Sequence, residues 1–227
     1  MQFYTLTDTE KTLLISAFGN GNDVNEGRLF EYQENVLCQI RAAVDYLSRK
    51  YGGTLFEYRS FLPVTKLNDI GKIAFSASGS EAVYYLYYTE EGDGFRCTDN
   101  YYQVYYLDSF SSLVASVLSD AGYETCAVCD FITALPEDAD YNVPLADFLN
   151  SYPGINKTIY LFVKNGISAK DKETVLGALS AGKLYGFYIV FTVPAEEWAA
   201  PGDLLENKDK WEHTVINCES KKNTEVN

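Results

Sequence analysis

The sequence predicts an α+β fold: a mixed or mainly antiparallel sheet, a long N-terminal helix packed on it, and strand–helix alternation in the second half. Three observations carry this expectation. Apolar residues recur at helical spacing before residue 52, aromatic and β-branched runs around a tight turn fill 54–107, and helical stripes alternate with short apolar runs from 108 onward. With 227 residues, 47% of them apolar, the chain is long enough for one sizeable core. The expected organisation is a single domain over 1–220: a helical part at 1–52, a sheet-rich part at 53–195 and a C-terminal segment at 196–220. A disordered tail is expected at 221–227.

Thr7 to Ala17 reads as a short helix ended by the Gly19-Asn20-Gly21-Asn22 turn cluster. A longer helix is expected from about Val24 to Tyr51. Its stripe is Leu29, Phe30, Val36, Leu37, Ile40, Ala43, Val44, Leu47 and Tyr51, which leaves Cys38 on the solvent side. Strands are expected at Thr54–Phe61, Lys72–Ser78, Ala82–Thr89 and Tyr101–Leu107. Glu90 to Gly94 reads as a hairpin turn. Asp108 is the expected cap of a helix buried through Phe110, Leu113, Val114, Val117, Leu118 and Ala121, with a serine-rich opposite face. Glu124–Thr133, Lys157–Lys164 and Leu184–Val193 then read as strands. Helices are expected over Pro144–Tyr152 and from the Ser168 cap to Ala181.

Charge restricts the partners. Thirty-two acids against 18 bases give a net charge of -14. Residues 73–156 hold thirteen acids and a single base, Arg96. That balance disfavours nucleic acid and anionic membrane surfaces, both of which need clustered Lys and Arg. The first twenty residues carry only Lys11 as a base, and Leu13-Leu14-Ile15 is too short for an export signal, so a cytoplasmic location with reduced thiols is expected.

The motif-like segments carry little chemistry. Gly177 to Lys183 has phosphate-loop spacing, but it leads from helix into strand, and Leu184 stands where a magnesium-holding hydroxyl is needed. Asp138, Asp140 and Asn142 begin like a calcium loop that Val143 and Leu149 fail to continue. Cys126 and Cys129 have redox spacing in strand context, which sends the two sulfurs to opposite faces. His213 is the only histidine, and no nucleophile elbow accompanies it. No metal and no cofactor is expected.

Tyrosine is the strongest compositional departure. Of 19 tyrosines, eight lie between 84 and 106, interleaved with acids. Tyrosine offers large contact area with little rotamer entropy to lose, so binding surfaces favour it. The expected function is therefore a non-enzymatic acidic protein that binds a basic protein partner, with an immunity protein or inhibitor as one concrete form. The expected binding residues are Tyr84, Tyr88, Glu90, Glu91, Asp93, Asp99, Tyr102, Tyr105 and Asp108. The competing readings are an enzyme with a carboxylate- or thiol-based site and a structural or assembly subunit.

Overall fold

The computed structural model describes residues 2–152 and 154–219; Met1, Pro153 and 220–227, with the tail expected at 221–227, lie outside the described residues. The fold is α+β, and the chain divides into two compact units. Residues 1–102 with 136–143 form the first, and 103–135 with 144–227 the second.

In the first unit, β1 (Gln2–Phe3) precedes α1 (Asp8–Phe18). Thr7 caps α1 by accepting from the Glu10 N–H, while the Glu10 carboxylate accepts from the Thr7 N–H. The expected helix from Val24 does not form as one piece. A short α2 (Gly21–Asn25) leads to Gly27 at a φ of 72°, a left-handed position where a Cβ would run into the Tyr4 carbonyl. Arg28–Leu29 (β2) then pairs antiparallel with β1. Helix α3 (Glu31–Lys50) starts only afterwards, where Gln33 Oε1 accepts from the Phe30 N–H. Its stripe is buried as expected through Val36, Leu37, Ile40, Ala43 and Leu47, with Tyr51 closing the end, and Cys38 is exposed.

Four antiparallel strands follow in the order β3 (Phe56–Leu62), β4 (Gly71–Ala77), β5 (Tyr84–Glu91) and β6 (Gly94–Asp99). Glu91 pairs with Gly94, so Gly92-Asp93 is a two-residue turn, and Gly92 supplies the positive φ of 59° that it needs. Ile73, Phe75, Leu86 and Tyr88 are buried in this unit. Tyr101–Leu107 is not a strand. Residues 101–103 form a turn of 3₁₀-helix, because both the Tyr101 and Tyr102 N–H groups turn back onto the Asp99 carboxylate.

The second unit is built on a separate four-stranded sheet. The strands of 54–99 and 157–193 therefore do not share one sheet. Its elements are α4 (Leu107–Asp120), β7 (Thr125–Phe131), α5 (Leu145–Ser151), β8 (Lys157–Lys164), α6 (Ala169–Ala181), β9 (Gly186–Val193), α7 (Pro201–Glu206) and β10 (His213–Cys218). The strand order is β10-β9-β8-β7, with β8 and β9 parallel and the outer pairs antiparallel. On one face, Phe110, Val114 and Leu118 of α4 and Val175 and Leu179 of α6 pack on Ile159, Leu161 and Tyr188. On the other, Leu204 packs with Phe162, Phe191 and Val193. Asp108 lies within the first turn of α4 instead of capping it, since the cap position is Tyr106. Ser168 and Asp171 form the expected capping box. Gly182 ends α6. Among the described residues, no helix is long and apolar enough to cross a membrane.

Candidate functional site

Residue alternation in β5 sorts the tyrosines. Leu86 and Tyr88 face the core of the first unit, and Tyr88 is 1% exposed. Its hydroxyl reaches Gln39 Oε1 and the Leu62 carbonyl, both at 3.1 Å, and burial holds its pKa above the ordinary tyrosine value. Gly71 is required opposite it, since a Cβ there would enter the Tyr88 ring. Tyr88 is thus a core residue, not a surface contact.

Tyr85 and Tyr87 occupy the opposite face. Lys72 sits 3.7 Å from the centre of the Tyr85 ring, and Tyr87, paired with Lys72 and Thr98 on the neighbouring strands, is 39% exposed. Arg96, opposite Thr89, shares this face. The outer face of the sheet therefore mixes tyrosine with cations. The acids Glu90, Glu91 and Asp93 are exposed at the end of the β5–β6 hairpin, beyond the tyrosines.

Asp99 is the second correction. Its side chain is 0% exposed and pairs with Lys50, 8% exposed, at 2.8 Å. The Tyr51 hydroxyl donates to Oδ1 at 2.6 Å and the Tyr46 hydroxyl to Oδ2 at 3.0 Å. The Tyr101 and Tyr102 N–H groups add donors at 2.8 and 3.2 Å. The Lys50 ammonium lies 5.1–5.5 Å from the rings of Tyr46, Tyr51, Tyr102 and Tyr141. Burial and the adjacent Asp99 charge push the hydroxyls of Tyr46 and Tyr51 far above their usual pKa, so both remain donors. Five donors occupy one carboxylate, which makes Asp99 a structural hub that fastens the end of α3 to β6.

The remaining expected residues are spread out. Tyr84 packs at a tilt against Phe75 and edge-on against Tyr101 in the first unit. Tyr102 is half-buried beside Tyr141. Tyr105 packs on Tyr106 in the second unit, and Asp108 is exposed on α4. Of the nine expected residues, only Glu90, Glu91 and Asp93 form an exposed group.

Several hollows accompany these features, among them one of about 810 Å³ in the first unit lined by Tyr32, Cys38, Gln39, Glu90 and Phe95. One of about 660 Å³ in the first unit is lined by Tyr46, Arg49, Lys50, Arg96, Cys97 and Glu137, among others. Another of about 510 Å³ in the second unit lies between α4, β7 and α7. Thiol chemistry finds little support: Cys97 lines the hollow of about 660 Å³ and Cys126 that of about 510 Å³, and burial raises the Cys126 thiol above its ordinary value. Burial raises the Cys97 thiol to about 11 and the Cys129 thiol to about 12, so both stay protonated near neutrality. The strand context expected for Cys126 and Cys129 holds: Cys129 joins the core facing α4, and Cys126 packs on the face of Phe162. Among the described residues, no three His, Cys, Asp or Glu side chains gather where a metal ion would sit. Asp140 accepts from the Asn142 N–H as an Asx turn, and His213 is exposed at the start of β10. Comparison with protein-family models, curated proteins and solved structures finds no match to this chain.

Proposed function

We propose that the protein is a non-enzymatic acidic binding protein whose partner is a basic protein, and that the β5–β6 hairpin makes the first contact. The observation that supports this is the hairpin end itself. Glu90, Glu91 and Asp93 are exposed there, and among the described residues none of them takes part in an ion pair. Exposed carboxylates without internal partners act through long-range steering, which raises association rates for a positively charged target. Tyr87, exposed on the same strand, supplies contact area that a buried Tyr88 does not. An immunity protein or inhibitor that occludes a toxin or nuclease is one form of this function. The test is a photo-cross-linking residue placed at Glu91 and, as a control, at Glu196, in cells of the source organism. A basic protein captured from position 91 and not from 196 is the expected result. Equal capture from both positions, or an acidic partner, contradicts it.

A further inference from the structure

The second unit leaves one sheet edge open. Strand β7 ends the order β10-β9-β8-β7, so only β8 pairs with it. Two bonds fix which of its backbone groups point where. The Lys164 N–H donates to the Glu124 carbonyl and the Ile132 N–H to the Asn156 carbonyl, so the even-numbered residues turn their backbone groups toward β8. The odd-numbered ones turn outward, and the Cys129 N–H confirms it by donating to Ser111 Oγ at 2.9 Å. One outward donor is thereby satisfied by α4. The N–H and C=O groups of Thr125 and Ala127 face instead into the groove of about 510 Å³. The Thr125 Oγ1 is itself buried, with no hydrogen-bond partner among the described residues. An unpaired backbone edge together with an unpaired buried hydroxyl is costly unless water or another chain satisfies it.

The walls of the groove differ. Ala127 and Cys129 turn toward the α4 side, and Cys126 and Val128 toward the α7 side. A strand added to β7 would therefore run between two helices, with alternate side chains facing each. The α4 wall presents Asp108, Ser111 and Ser112, whereas the α7 wall presents Pro201 and Leu205. The first suits a cation and the second an apolar side chain. The flanking Asp130 is exposed, whereas Glu124 is held by Lys164 at 2.8 Å, and no Lys or Arg occurs in the sequence between Cys97 and Asn156.

We infer that the β7 edge is a β-augmentation site that takes an extended, alternating basic–apolar segment of a partner protein. The inference rests on the basic-partner reading for the charge of that segment, and on the unpaired edge for its backbone pairing.

The test uses ¹⁵N-labelled full-length protein and a capped (Lys-Val)₄ peptide. Binding is expected to slow hydrogen exchange at the Thr125 and Ala127 amides at least tenfold. A peptide N-methylated on alternate residues, and a (Glu-Val)₄ peptide, are each expected to bind at least tenfold more weakly. Ala127→Pro removes an outward N–H while sparing the bonds to β8, and it should abolish binding. If that variant fails to fold, amide exchange in the unmodified protein decides alone. Absence of binding overturns the site. Binding that leaves both amides unchanged overturns the edge while sparing the basic-partner reading. Equal binding of (Glu-Val)₄ at the same amides overturns the basic character of the segment. Protection of these amides that rises with protein concentration, without peptide, assigns the edge to a second copy and also overturns the proposal.

Discussion

Lys50 and Asp99 meet at 2.8 Å inside the first unit, across 49 residues of sequence, with both side chains removed from solvent. Bringing two charges out of water is expensive, and the attraction repays the cost only when every remaining lone pair and proton is satisfied. Here the two tyrosine hydroxyls and two backbone N–H groups complete the Asp99 carboxylate.

Removing one member of such a pair leaves the other buried and unpaired. Asp99→Ala and Lys50→Met should each cost about 3–5 kcal/mol of stability. The Asp99 variant should also loosen the turn at 101–103. Denaturant melts check the first effect, and amide exchange at Tyr101 and Tyr102 the second.

Lys157 is the reverse case. It is 6% exposed, with its ammonium bonded to the Ile155 carbonyl and lying 5.4 Å from the centre of the Phe110 ring, and burial lowers its pKa. A lysine lowered in the folded state binds fewer protons there than in the unfolded chain, so stability rises with pH between the folded and unfolded pKa values. The cost is fully present below the folded pKa. Lys157→Met should then raise stability by about 1 kcal/mol, or roughly 2–4 °C in Tm. The gain should shrink as pH climbs toward about 10.4. A gain independent of pH would contradict the account.

Glu10 titrates in the opposite sense. Burial pushes its carboxyl upward, but the Arg41 hydrogen bond at 2.6 Å and the Thr7 N–H outweigh that and hold it below the usual glutamate value. Its contribution is present above the unfolded pKa and is lost as pH falls through the folded one. Glu10→Gln should lower stability at pH 7 by about 1 kcal/mol, the usual worth of a cap contact. It should also flatten the acid limb of the stability curve.

Adjacent tyrosines should behave differently. Tyr88→Ala empties a core position and should cost about 3–5 kcal/mol of stability, as large aromatic truncations do. Tyr87→Ala should leave melting within about 0.5 kcal/mol and act on partner dissociation instead.

Much of the fold was legible because its signals are local. The Thr7 cap, the stripe of α3, the Gly92 turn, the α4 stripe and the Ser168 box each lie within a few residues of the elements they define. The misses have physical causes. One glycine, Gly27, broke the expected long helix, and its neighbours Glu26 and Arg28 are residues that helices tolerate well. The paired tyrosines after residue 100 suggested a strand, yet the Asp99 carboxylate two residues earlier captures their N–H groups and winds a turn. Strand β10 was hidden behind a charged segment, although His213 to Cys218 alternates exposed and buried residues in its second half. The site was less legible than the fold. Alternation separates Tyr87 from Tyr88 but does not say which faces the core, and Asp99 reveals its burial only through a lysine far away in the chain.

The central claim is that a basic partner is steered by the hairpin acids and not by net charge alone. Stopped-flow association with the cross-linked partner, across a range of salt concentrations, tests it with two variants of equal charge. One replaces Glu90, Glu91 and Asp93 by Lys, and the other replaces the exposed Glu173, Glu196 and Asp209 by Lys. The account predicts that the hairpin variant associates about tenfold more slowly at low salt and loses most of its salt dependence, while the control variant changes little. Equal slowing by the two variants, or none by the hairpin variant, would contradict it.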